Sequence, residues 1–509
     1  MKFGEDFNKI PAGWVETTFS ELFDFKGGSQ PPKSEFSNVP KAGYIRLLQI
    51  RDFSRDDLAV YIPDLPKWPK CEVDDIMIGR YGASVGKILT GKEGAYNVAL
   101  VKTIFSKELI YPLWVKYFLL SDHFQKPLTL LSRSAQNGFN KKELAPMAVQ
   151  LPPSNEQKRI ANKIETLQGK SKTAKKALET AKPLLDKLRQ SILASAFRGD
   201  LTADWRKKNP DVEPASVLLE RIRAERREKW EENELAKMRI KGKEPKDDKW
   251  KSKYKEPVTV DTKDLPELPD GWCWCNLSEL KEFSIYGPRF SSDDYSEEGK
   301  LVLRTSDIDD TGKVDVRRAP KLPLDEITFS KYALNIGDLL ITRTGSIGTL
   351  AVFNDTVDAI PGAYLIHYRL CGPEYIGWFV FFQLKSPRGQ LLLTGGSAGI
   401  GRPNLNAPTI EAIPIALPPA EEQKAIVEKI KKHIVVIDRK IVALKIVNQK
   451  LKSLDQSILS KAFRGDLIPQ NSLDEPASSL LKQIKTEIEV MAPKKKKDKP
   501  MIVVKAVSR

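Results

Sequence analysis

Apolar residues recur at alternating steps of four and three positions in two long stretches of the chain, residues 160–192 and 426–458. This spacing is typical of a helix that packs along another helix. Each stretch follows a Leu-Pro-Pro sequence and is closed by a glycine, Gly199 or Gly465, which favours a helix end. The pattern predicts two helices of about 40 residues, each about 60 Å long. Because both lie in one chain, we expect them to form an antiparallel coiled-coil pair.

A different pattern precedes each helix, where short apolar runs bounded by turn residues predict β-strands. Residues 44–50 and 301–308 have this pattern. Residues 75–78 and 338–341 have it as well, and each is followed by a glycine-rich loop. Each predicted helix therefore follows a strand-rich globule, and the predicted fold class is α+β.

The two halves of the chain carry the same sequence signals in the same order. QSILASAFRGDL at 190–201 and QSILSKAFRGDL at 456–467 agree at ten of twelve positions and lie 266 residues apart. Three further pairs recur: PAGW at 11–14 with PDGW at 269–272, LPPSNEQ at 151–157 with LPPAEEQ at 417–423, and EPASVLL at 213–219 with EPASSLL at 475–481. The chain is thus predicted to be internally duplicated and pseudo-twofold. Between these signals the globules diverge, as at 27–44 and 286–302.

Charge and composition narrow the class of partner. The 509 residues carry a formal net charge of +16 at pH 7, which favours a polyanion such as nucleic acid, although a basic surface without a partner fits equally well. No signal peptide and no apolar run long enough to span a membrane is recognisable, so we expect a cytoplasmic protein. The four cysteines and three histidines are too scattered to predict a metal site.

Polar loops in both globules are candidates for contact with nucleic acid. Arg80 and Arg343 each begin a glycine-rich loop; glycine allows close approach to phosphate, and arginine binds phosphate or guanine. Asparagine and glutamine suit adenine. The alternatives are tight turns for the glycine-rich loops and turn or helix caps for Asn140 and Asn406. The full set of candidates is Gln30, Lys33, Arg46, Arg80, Lys87, Arg133, Gln136, Asn137 and Asn140 in the first copy and Arg289, Arg304, Arg343, Arg402, Asn404 and Asn406 in the second.

The motifs that suggest enzyme chemistry are incomplete. Residues 82–87, GASVGK, resemble a phosphate-binding loop but are one residue short, and Ile88 stands where a serine or threonine is required. Glu156-Gln-Lys158 matches the end of a nuclease signature without a convincing acidic partner on a nearby strand. The Asn-Pro-Pro-Tyr/Phe motif of amino-methyltransferases is absent. We therefore expect no catalytic residue in this chain.

The ordered double repeat resembles the specificity subunit of type I restriction–modification enzymes. The residues that carry the resemblance are Leu-Pro-Pro…Glu-Gln at 151–157 and 417–423, the long helices behind them, and Ala-Phe-Arg-Gly-Asp-Leu at 196–201 and 462–467. The resemblance implies that each globule is a target recognition domain that reads one half of a split double-stranded DNA site. It implies that the two helices set the spacing between these domains.

The resemblance also implies partner subunits, and with them a role in DNA methylation and phage defence. Two modification (methyltransferase) subunits would bind S-adenosylmethionine and methylate adenine, and restriction subunits would add ATP- and Mg-dependent translocation and cleavage. No cofactor would bind this chain directly. The helix residues expected to contact partners are Ile160, Ile164, Leu185, Leu188, Ile426, Ile430, Leu451 and Leu454.

The signals predict six segments. They are a target recognition domain at 1–150, a spacer helix at 151–201, a charged helical segment and linker at 202–265, a second target recognition domain at 266–416, a second spacer helix at 417–467 and a charged tail at 468–509. The charged segments have no role that the resemblance assigns. The alternative function is a non-catalytic basic coiled-coil adaptor that binds nucleic acid without sequence specificity.

Overall fold

The computed structural model describes residues 10–134, 139–243, 245, 247–343, 348–373, 375–395 and 406–491. Two compact units divide the chain. Unit 1 combines residues 1–179 with residues 445–509, and unit 2 is the continuous segment 180–444. Each unit therefore contains one globule, the first part of the long helix that follows this globule, and the last part of the other long helix.

The described part of unit 1 contains ten strands in three sheets. They are β1 (Val15–Thr18), β2 (Asp24–Gly27), β3 (Tyr44–Leu48), β4 (Tyr61–Pro63), β5 (Lys70–Cys71), β6 (Met77–Gly79), β7 (Ile88–Leu89), β8 (Gly94–Tyr96), β9 (Leu100–Ile104) and β10 (Ala148–Leu151). β1 pairs with β10, and two four-stranded sheets have the orders β2-β9-β6-β7 and β4-β3-β8-β5. The pairing of β3 with β8 is parallel, and the other pairings are antiparallel.

Nine strands of unit 2 repeat this arrangement. They are β11 (Cys273–Asn276), β12 (Lys281–Tyr286), β13 (Lys300–Leu303), β14 (Lys321–Leu322), β15 (Leu339–Thr342), β16 (Leu350–Val352), β17 (Ala359–Pro361), β18 (Leu365–Leu370) and β19 (Pro414–Leu417). The sheets have the orders β11-β19, β12-β18-β15-β16 and β14-β13-β17, with β13 and β17 parallel. Apart from β5, which has no counterpart among the described strands of unit 2, the strand connections are the same in both units, and this confirms the predicted duplication and the α+β fold class.

Helices surround these sheets and extend the chain beyond each globule. They are α1 (Phe19–Leu22), α2 (Pro112–Leu120), α3 (Asp122–Ser134), α4 (Lys141–Leu144), α5 (Ser154–Phe197), α6 (Ala203–Lys208), α7 (Ala215–Ile240), α8 (Leu277–Leu280), α9 (Glu326–Tyr332), α10 (Ile376–Lys385), α11 (Pro387–Leu393), α12 (Ala407–Glu411), α13 (Ala420–Phe463) and α14 (Ala477–Met491). The two long helices, α5 and α13, have 44 residues each, as the apolar spacing predicts. Gly199 and Gly465 follow them with φ of +85° and +80°, the left-handed conformation that commonly ends a helix.

The long helices run antiparallel inside each unit. In unit 1 the core joins Ile160 and Ile164, near the start of α5, to Ala462, near the end of α13. In unit 2 it joins Ala196, near the end of α5, to Ile430, near the start of α13. Burial of these apolar side chains stabilises the pairing by about 1.5–3 kcal/mol per fully buried residue.

Three apolar positions of the predicted stripe are exposed. Val447 is 43% exposed, and Leu188 and Leu454 are 48% and 47% exposed. Ion pairs between the helices lie one residue from Leu188 and from Leu454, where Arg189 bonds Asp438 and Lys175 bonds Asp455. Charged pairs with long side chains thus form part of the contact between the helices, and a search for apolar repeats does not detect them.

The charged segments 202–265 and 468–509 are partly built into the globules. The first turns of α7 bury Leu218, Leu219 and Ile222 in the core of unit 2. The equivalent face of α14 buries Leu480 and Ile484 in the core of unit 1. The charged helical segment and linker that the sequence predicts at 202–265 thus contains, at the start of α7, a buried apolar face, whose few positions stand among many charged residues in the sequence.

Candidate nucleic-acid interface

A buried aspartate supports the base of the glycine-rich loop in each globule. Asp75 accepts hydrogen bonds from Lys102 Nζ at 2.8 Å and from the Glu72 amide at 2.9 Å. Burial acts to raise the pKa of Asp75, but these hydrogen bonds outweigh it and the pKa is lowered. The carboxylate therefore stays ionised and holds the strand that leads to Arg80.

The equivalent aspartate of unit 2 has the same structural role with other partners. Asp338 accepts from His367 Nε2 at 2.8 Å and from the Arg369 guanidinium at 2.7 Å. Burial acts to raise its pKa, and the hydrogen bonds from His367 and Arg369 outweigh this effect, so the pKa of Asp338 is lowered. The recurring aspartate in the two sequences is explained by this support and requires no catalytic role.

Four loops of unit 1 meet at one end of its sheets and form a surface that we call rim 1. It consists of residues 28–33, 49–51, 80–87 and 97–99. Its backbone hydrogen bonds run from Gly28 N to Leu100 O (3.1 Å), from Asn97 N to Leu48 O (3.1 Å) and from Arg80 N to Ala99 O (2.9 Å). These bonds fix the loops relative to one another, so their side chains present a defined surface.

The same loops of unit 2 form rim 2, with residues 287–292, 304–306, 343 and 362–364. The matching backbone bonds run from Gly287 N to Leu365 O (3.1 Å), from Gly362 N to Leu303 O (2.8 Å) and from Arg343 N to Tyr364 O (3.1 Å). Segments that differ in sequence thus share one backbone path. The divergence predicted at 27–44 and 286–302 affects the side chains and leaves this path unchanged.

One glycine in each rim is required by a close backbone approach. A Cβ atom on Gly28 would lie 2.0 Å from the carbonyl oxygen of Asn97, and one on Gly287 would lie 2.2 Å from that of Gly362. No other residue fits at these two positions. Gly28 and Gly287 are therefore equivalent, and the residues that follow them can be compared one by one.

Four predicted nucleic-acid contacts have exposed side chains on the rims. They are Gln30, Lys33 and Lys87 in rim 1 and Arg289 in rim 2. Arg289 Nη2 lies 3.4 Å from the Tyr364 hydroxyl, beside a cavity of about 320 Å³ that both residues line. These side chains are free to contact a partner, and their chemistry is that of phosphate and base binding.

Other predicted contacts are already engaged inside the protein. Arg46 bonds Asp52 at 3.0 Å and Asp56 at 2.6 Å, and Arg304 bonds Asp307 at 2.9 Å. These carboxylates neutralise the two guanidinium groups, so a phosphate or a base would compete with an existing ion pair.

The two predicted asparagines cap helices. Asn140 Oδ1 accepts from the Glu143 amide at 3.1 Å at the start of α4, and Asn406 Oδ1 accepts from the Thr409 amide at 2.9 Å at the start of α12. This is the alternative that the sequence left open, and it accounts for the alignment of the two asparagines.

The arginines that begin the glycine-rich loops lie over tyrosine rings. Arg80 lies 5.1 Å from the Tyr81 ring centre, and Arg343 lies 4.8 Å from that of Tyr286. Arg80 Nε also donates to the carbonyl of Phe139 at 3.4 Å. Such stacking orients a guanidinium without neutralising it, so both arginines remain available to an anion. The other predicted contacts, Gln136, Asn137, Arg402, Asn404 and the side chain of Arg133, lie outside the described residues.

Two rim residues and one residue beside a rim were not predicted from the sequence. Arg51 is exposed in rim 1, Tyr364 is exposed in rim 2, and Tyr286, which precedes rim 2, is exposed next to Arg343. Their positions across the rim depend on which strands pair, and neither tyrosine has a counterpart in unit 1, where Gly27 and Ala99 occupy the same places. A comparison of the repeats alone carries no signal for them.

The repeated sequence signals meet where each globule joins the helices. A Cβ on Gly199 would lie 2.4 Å from Pro269 of PDGW, and a Cβ on Gly465 would lie 2.3 Å from Pro11 of PAGW. The end of α5 thus packs against the start of the second globule, and the end of α13 packs against the start of the first. The repeated residues therefore make the same contact twice: the helix end of each copy packs against the first residues of the globule of the other copy.

A buried glutamate completes this junction in unit 2. Glu422 accepts from Trp272 Nε1 at 2.9 Å and from Thr202 Oγ1 at 2.6 Å, and it forms an ion pair with Arg206. Glu422-Gln-Lys424 repeats Glu156-Gln-Lys158, the match to the end of a nuclease signature, and these contacts give its glutamate a structural role.

The junction of unit 1 keeps the glutamate and changes its partners. Glu156 is buried, and Gln470 Nε2 lies 3.5 Å from its carboxylate. Burial raises the pKa of Glu156. Ser472 stands 266 positions after Arg206, so the second copy of the sequence has no counterpart of that cation.

The helix residues predicted to contact partners divide into two groups. Ile160, Ile164, Ile426 and Ile430 are at most 1% exposed and belong to the cores of their units, so they are inaccessible to a partner in this structure. Leu185 and Leu451 are half-buried, and Leu188 and Leu454 are exposed. A partner contact on the helices would involve the second group.

Among the described residues, no group of three or more His, Cys, Asp or Glu side chains could hold a metal ion. In the same part of the chain, no helix has both the length and the apolar character needed to cross a membrane.

One known protein family matches both copies of the repeat. The family described as the type I restriction modification DNA specificity domain matches residues 11–181 and 269–444, which is more than half of the chain. The chain belongs to this family. The two matches coincide with the two copies of the repeat, so each globule and the first part of its helix form one specificity domain.

Curated specificity subunits match along nearly their whole length. The type I restriction enzyme EcoBI specificity subunit of Escherichia coli is 24% identical over 491 residues, which is 94% of this chain and 93% of that protein. The EcoKI specificity subunit of Escherichia coli K12 is 25% identical over 516 aligned positions, which is 94% of this chain and 96% of that protein. The specificity family is thus supported over both copies, and the adaptor alternative is not favoured.

Solved structures have the same fold. A chain from a type I restriction–modification system covers 90% of this chain with a TM-score of 0.63 and 18% identity. The HsdS subunit of Thermoanaerobacter tengcongensis covers 90% with a TM-score of 0.53 and 19% identity. These similarities support the duplicated architecture of the specificity family.

Proposed function

We propose that this chain reads a split DNA target for a type I restriction–modification complex, with rim 1 on one half-site and rim 2 on the other. The observation that carries the proposal is that the two rims share one backbone path and present different side chains. A common frame suits the constant geometry of B-DNA, and different side chains suit two different base sequences.

The chain itself carries out no covalent step in this proposal. The acidic residues that could have suggested catalysis, Asp75, Asp338 and Glu422, are buried and bonded to lysine, arginine or tryptophan of the same unit. Methylation of adenine would take place on two modification subunits that bind S-adenosylmethionine. Translocation and cleavage, with ATP and Mg, would take place on restriction subunits.

The duplicated junctions support two equivalent partner positions. The AFRGDL ends of α5 and α13 make the same contact with a Pro-x-Gly-Trp sequence in their units. A surface that is built twice from nearly the same residues can bind two copies of one partner. Exposed Leu188 and Leu454, two residues from these repeated segments, provide apolar side chains for that contact.

The test is single-molecule methylome sequencing of a host that expresses this chain with its modification subunit. We expect methyladenine in both halves of a split motif. In a second chain, residues 1–150 are exchanged for the corresponding globule of another specificity subunit, and we expect one half of the motif to change while the other half and the spacer stay the same.

Two results would contradict the proposal. Methylation independent of this chain would remove the recognition role. A continuous motif, or a change in both halves after the exchange, would show that the two rims do not read separately. The adaptor alternative predicts binding that is indifferent to DNA sequence, which competition between specific and random duplexes would reveal.

A further inference from the structure

Residue 30 and residue 289 occupy the same place in the two rims. Gly28 and Gly287 make the same close approach, so Gln30 and Arg289 each follow the rim glycine by two positions. The offset of 259 residues holds further along the loop, where the 3₁₀ turns Lys33–Glu35 and Ser292–Asp294 coincide. It still holds at Ser37 and Ser296, which make equivalent bridges. The equivalence is therefore structural, although the loop sequences have little in common.

Both side chains are exposed, and their chemistry differs. Arg289 forms no ion pair with a carboxylate of the described residues, in contrast to Arg304 in the same rim, and its guanidinium approaches the Tyr364 hydroxyl at 3.4 Å. The exposed Gln30 side chain has no hydrogen-bond partner among the described residues of rim 1. The two groups are thus available to bases, one as a guanidinium fork and one as an amide.

Two other polar positions of the rims are less suited to distinguish two half-sites. Arg80 and Arg343 are the same residue on the same backbone position, so they suit an element common to both halves, such as phosphate. The guanidinium of Arg304 is bonded to Asp307, and the equivalent Gln49 is half-buried and donates to Asp52 through its backbone amide. A position that reads sequence must differ between the rims and be exposed without a carboxylate partner, as residues 30 and 289 are.

We infer that this shared position determines base specificity: Arg289 reads guanine in the half-site of unit 2, and Gln30 reads adenine in the half-site of unit 1. Arginine fits the O6 and N7 acceptors of guanine, and glutamine fits the N6 donor and N7 acceptor of adenine. The Tyr364 ring, 49% exposed beside Arg289, limits the positions that the guanidinium can take. The inference rests on the proposed function.

The experiment uses the full chain with its modification subunits and the motif found by methylome sequencing. Arg289→Gln is expected to reduce methylation at sites with guanine in one position of the unit 2 half-site by about 5- to 150-fold, the range for one bidentate base contact. Gln30→Arg is expected to reduce methylation at sites with adenine in one position of the unit 1 half-site. The matched controls are Arg221→Gln and Gln483→Arg, which make the same exchanges at exposed positions of α7 and α14.

A chemical probe separates base reading from folding. Replacing that guanine by 7-deazaguanine removes the N7 acceptor, so binding of the unchanged chain should weaken while binding of the Arg289→Gln complex should not weaken further. Arg289→Lys should retain the preference for guanine, since lysine also binds O6 and N7.

The failures of the two proposals are distinguishable. A split motif in the unchanged complex, together with an unaltered motif in both variants or equal sensitivity to 7-deazaguanine in the Arg289→Gln complex, overturns the role of residues 30 and 289 alone. The absence of methylation that depends on this chain overturns the proposed function and the inference with it.

Discussion

The junctions of the two units have the same plan and different electrostatics. In unit 2 the buried Glu422 has a cation, a hydroxyl and an indole as partners. In unit 1 the buried Glu156 has an amide at 3.5 Å, and Arg159, a cation whose charge acts on Glu156, is ion-paired with Asp474. The contact between globule and helix is thus the same in both units, whereas the ion pair of the junction glutamate with an arginine is found in unit 2, between Glu422 and Arg206. The same substitution should therefore have opposite effects in the two units.

The largest expected effect is the loss of Arg206. Arg206→Ala leaves the fully buried Glu422 carboxylate without a cation, which should destabilise unit 2 by roughly 3–5 kcal/mol. Hydrogen exchange of peptides from α13 and β11 measures this opening, with peptides of unit 1 as an internal control. Unchanged exchange in unit 2 would show that Trp272 and Thr202 suffice for Glu422.

The next effect tests the shared part of the junctions. Gly199→Ala and Gly465→Ala each place a Cβ within 2.4 Å of a proline and force a left-handed conformation, so each should cost about 2–4 kcal/mol in its own unit. Gly169→Ala, where a Cβ would meet open space on α5, is the control and should stabilise slightly. Hydrogen exchange that responds in only one of the two units would mean that the junctions are not equivalent.

Replacing each buried glutamate by glutamine should have a smaller effect, and the change in stability should have opposite signs in the two units. Burial raises the pKa of Glu156, so its ionised form is disfavoured in the folded unit and its contribution to stability falls as pH rises through that pKa. Glu156→Gln should therefore stabilise unit 1 at pH 7 and have less effect at pH 4. Glu422→Gln should destabilise unit 2 at pH 7 because it breaks the pair with Arg206.

Denaturant unfolding at both pH values, resolved by unit through hydrogen exchange, is the measurement. Loss of stability in both variants at pH 7 would show that the two junctions do not differ in the way proposed.

The smallest effect concerns the ion pairs between the helices. Lys175→Ala and Arg189→Ala each break one partly exposed pair, so each should cost at most about 1 kcal/mol. The cost should decline in 1 M salt, since exposed charges are screened. Thermal unfolding at low and high salt measures it, and Lys187→Ala on the exposed face of α5 serves as the control. An effect that is independent of salt would indicate packing of the alkyl chains instead.

Much of the fold was predictable because it depends on local sequence signals and on their repetition. The 44-residue helices, their glycine ends and the doubled strand-rich globules follow from apolar spacing, turn residues and the 266-residue offset. Strand boundaries were less accurate: the run predicted at 75–78 is a strand only from Met77. Asp75 lies outside the strand because its carboxylate bonds the Glu72 amide and so ends the pairing.

The candidate interface was only partly predictable. Polar loop residues could be chosen by type, which selected Gln30 and Arg289, whose side chains are exposed on the rims. The same criterion also selected Arg46 and Arg304, whose carboxylate partners come from turns that follow the strand, and Asn140 and Asn406, which cap helices. A residue type states which bonds are chemically possible, and the neighbours in space decide which bond is made.

The sequence by itself determined the duplication, the order of globule and helix in each copy, and the family to which the chain belongs. These properties are recorded in local spacing and in the recurrence of short motifs. Only the tertiary structure decided that α7 and α14 complete the globules, that each copy closes the globule of the other, and that residues 30 and 289 are equivalent. The reason is physical: these relations depend on backbone hydrogen bonds and close approaches between segments far apart in sequence, and such bonds can be made by almost any side-chain sequence.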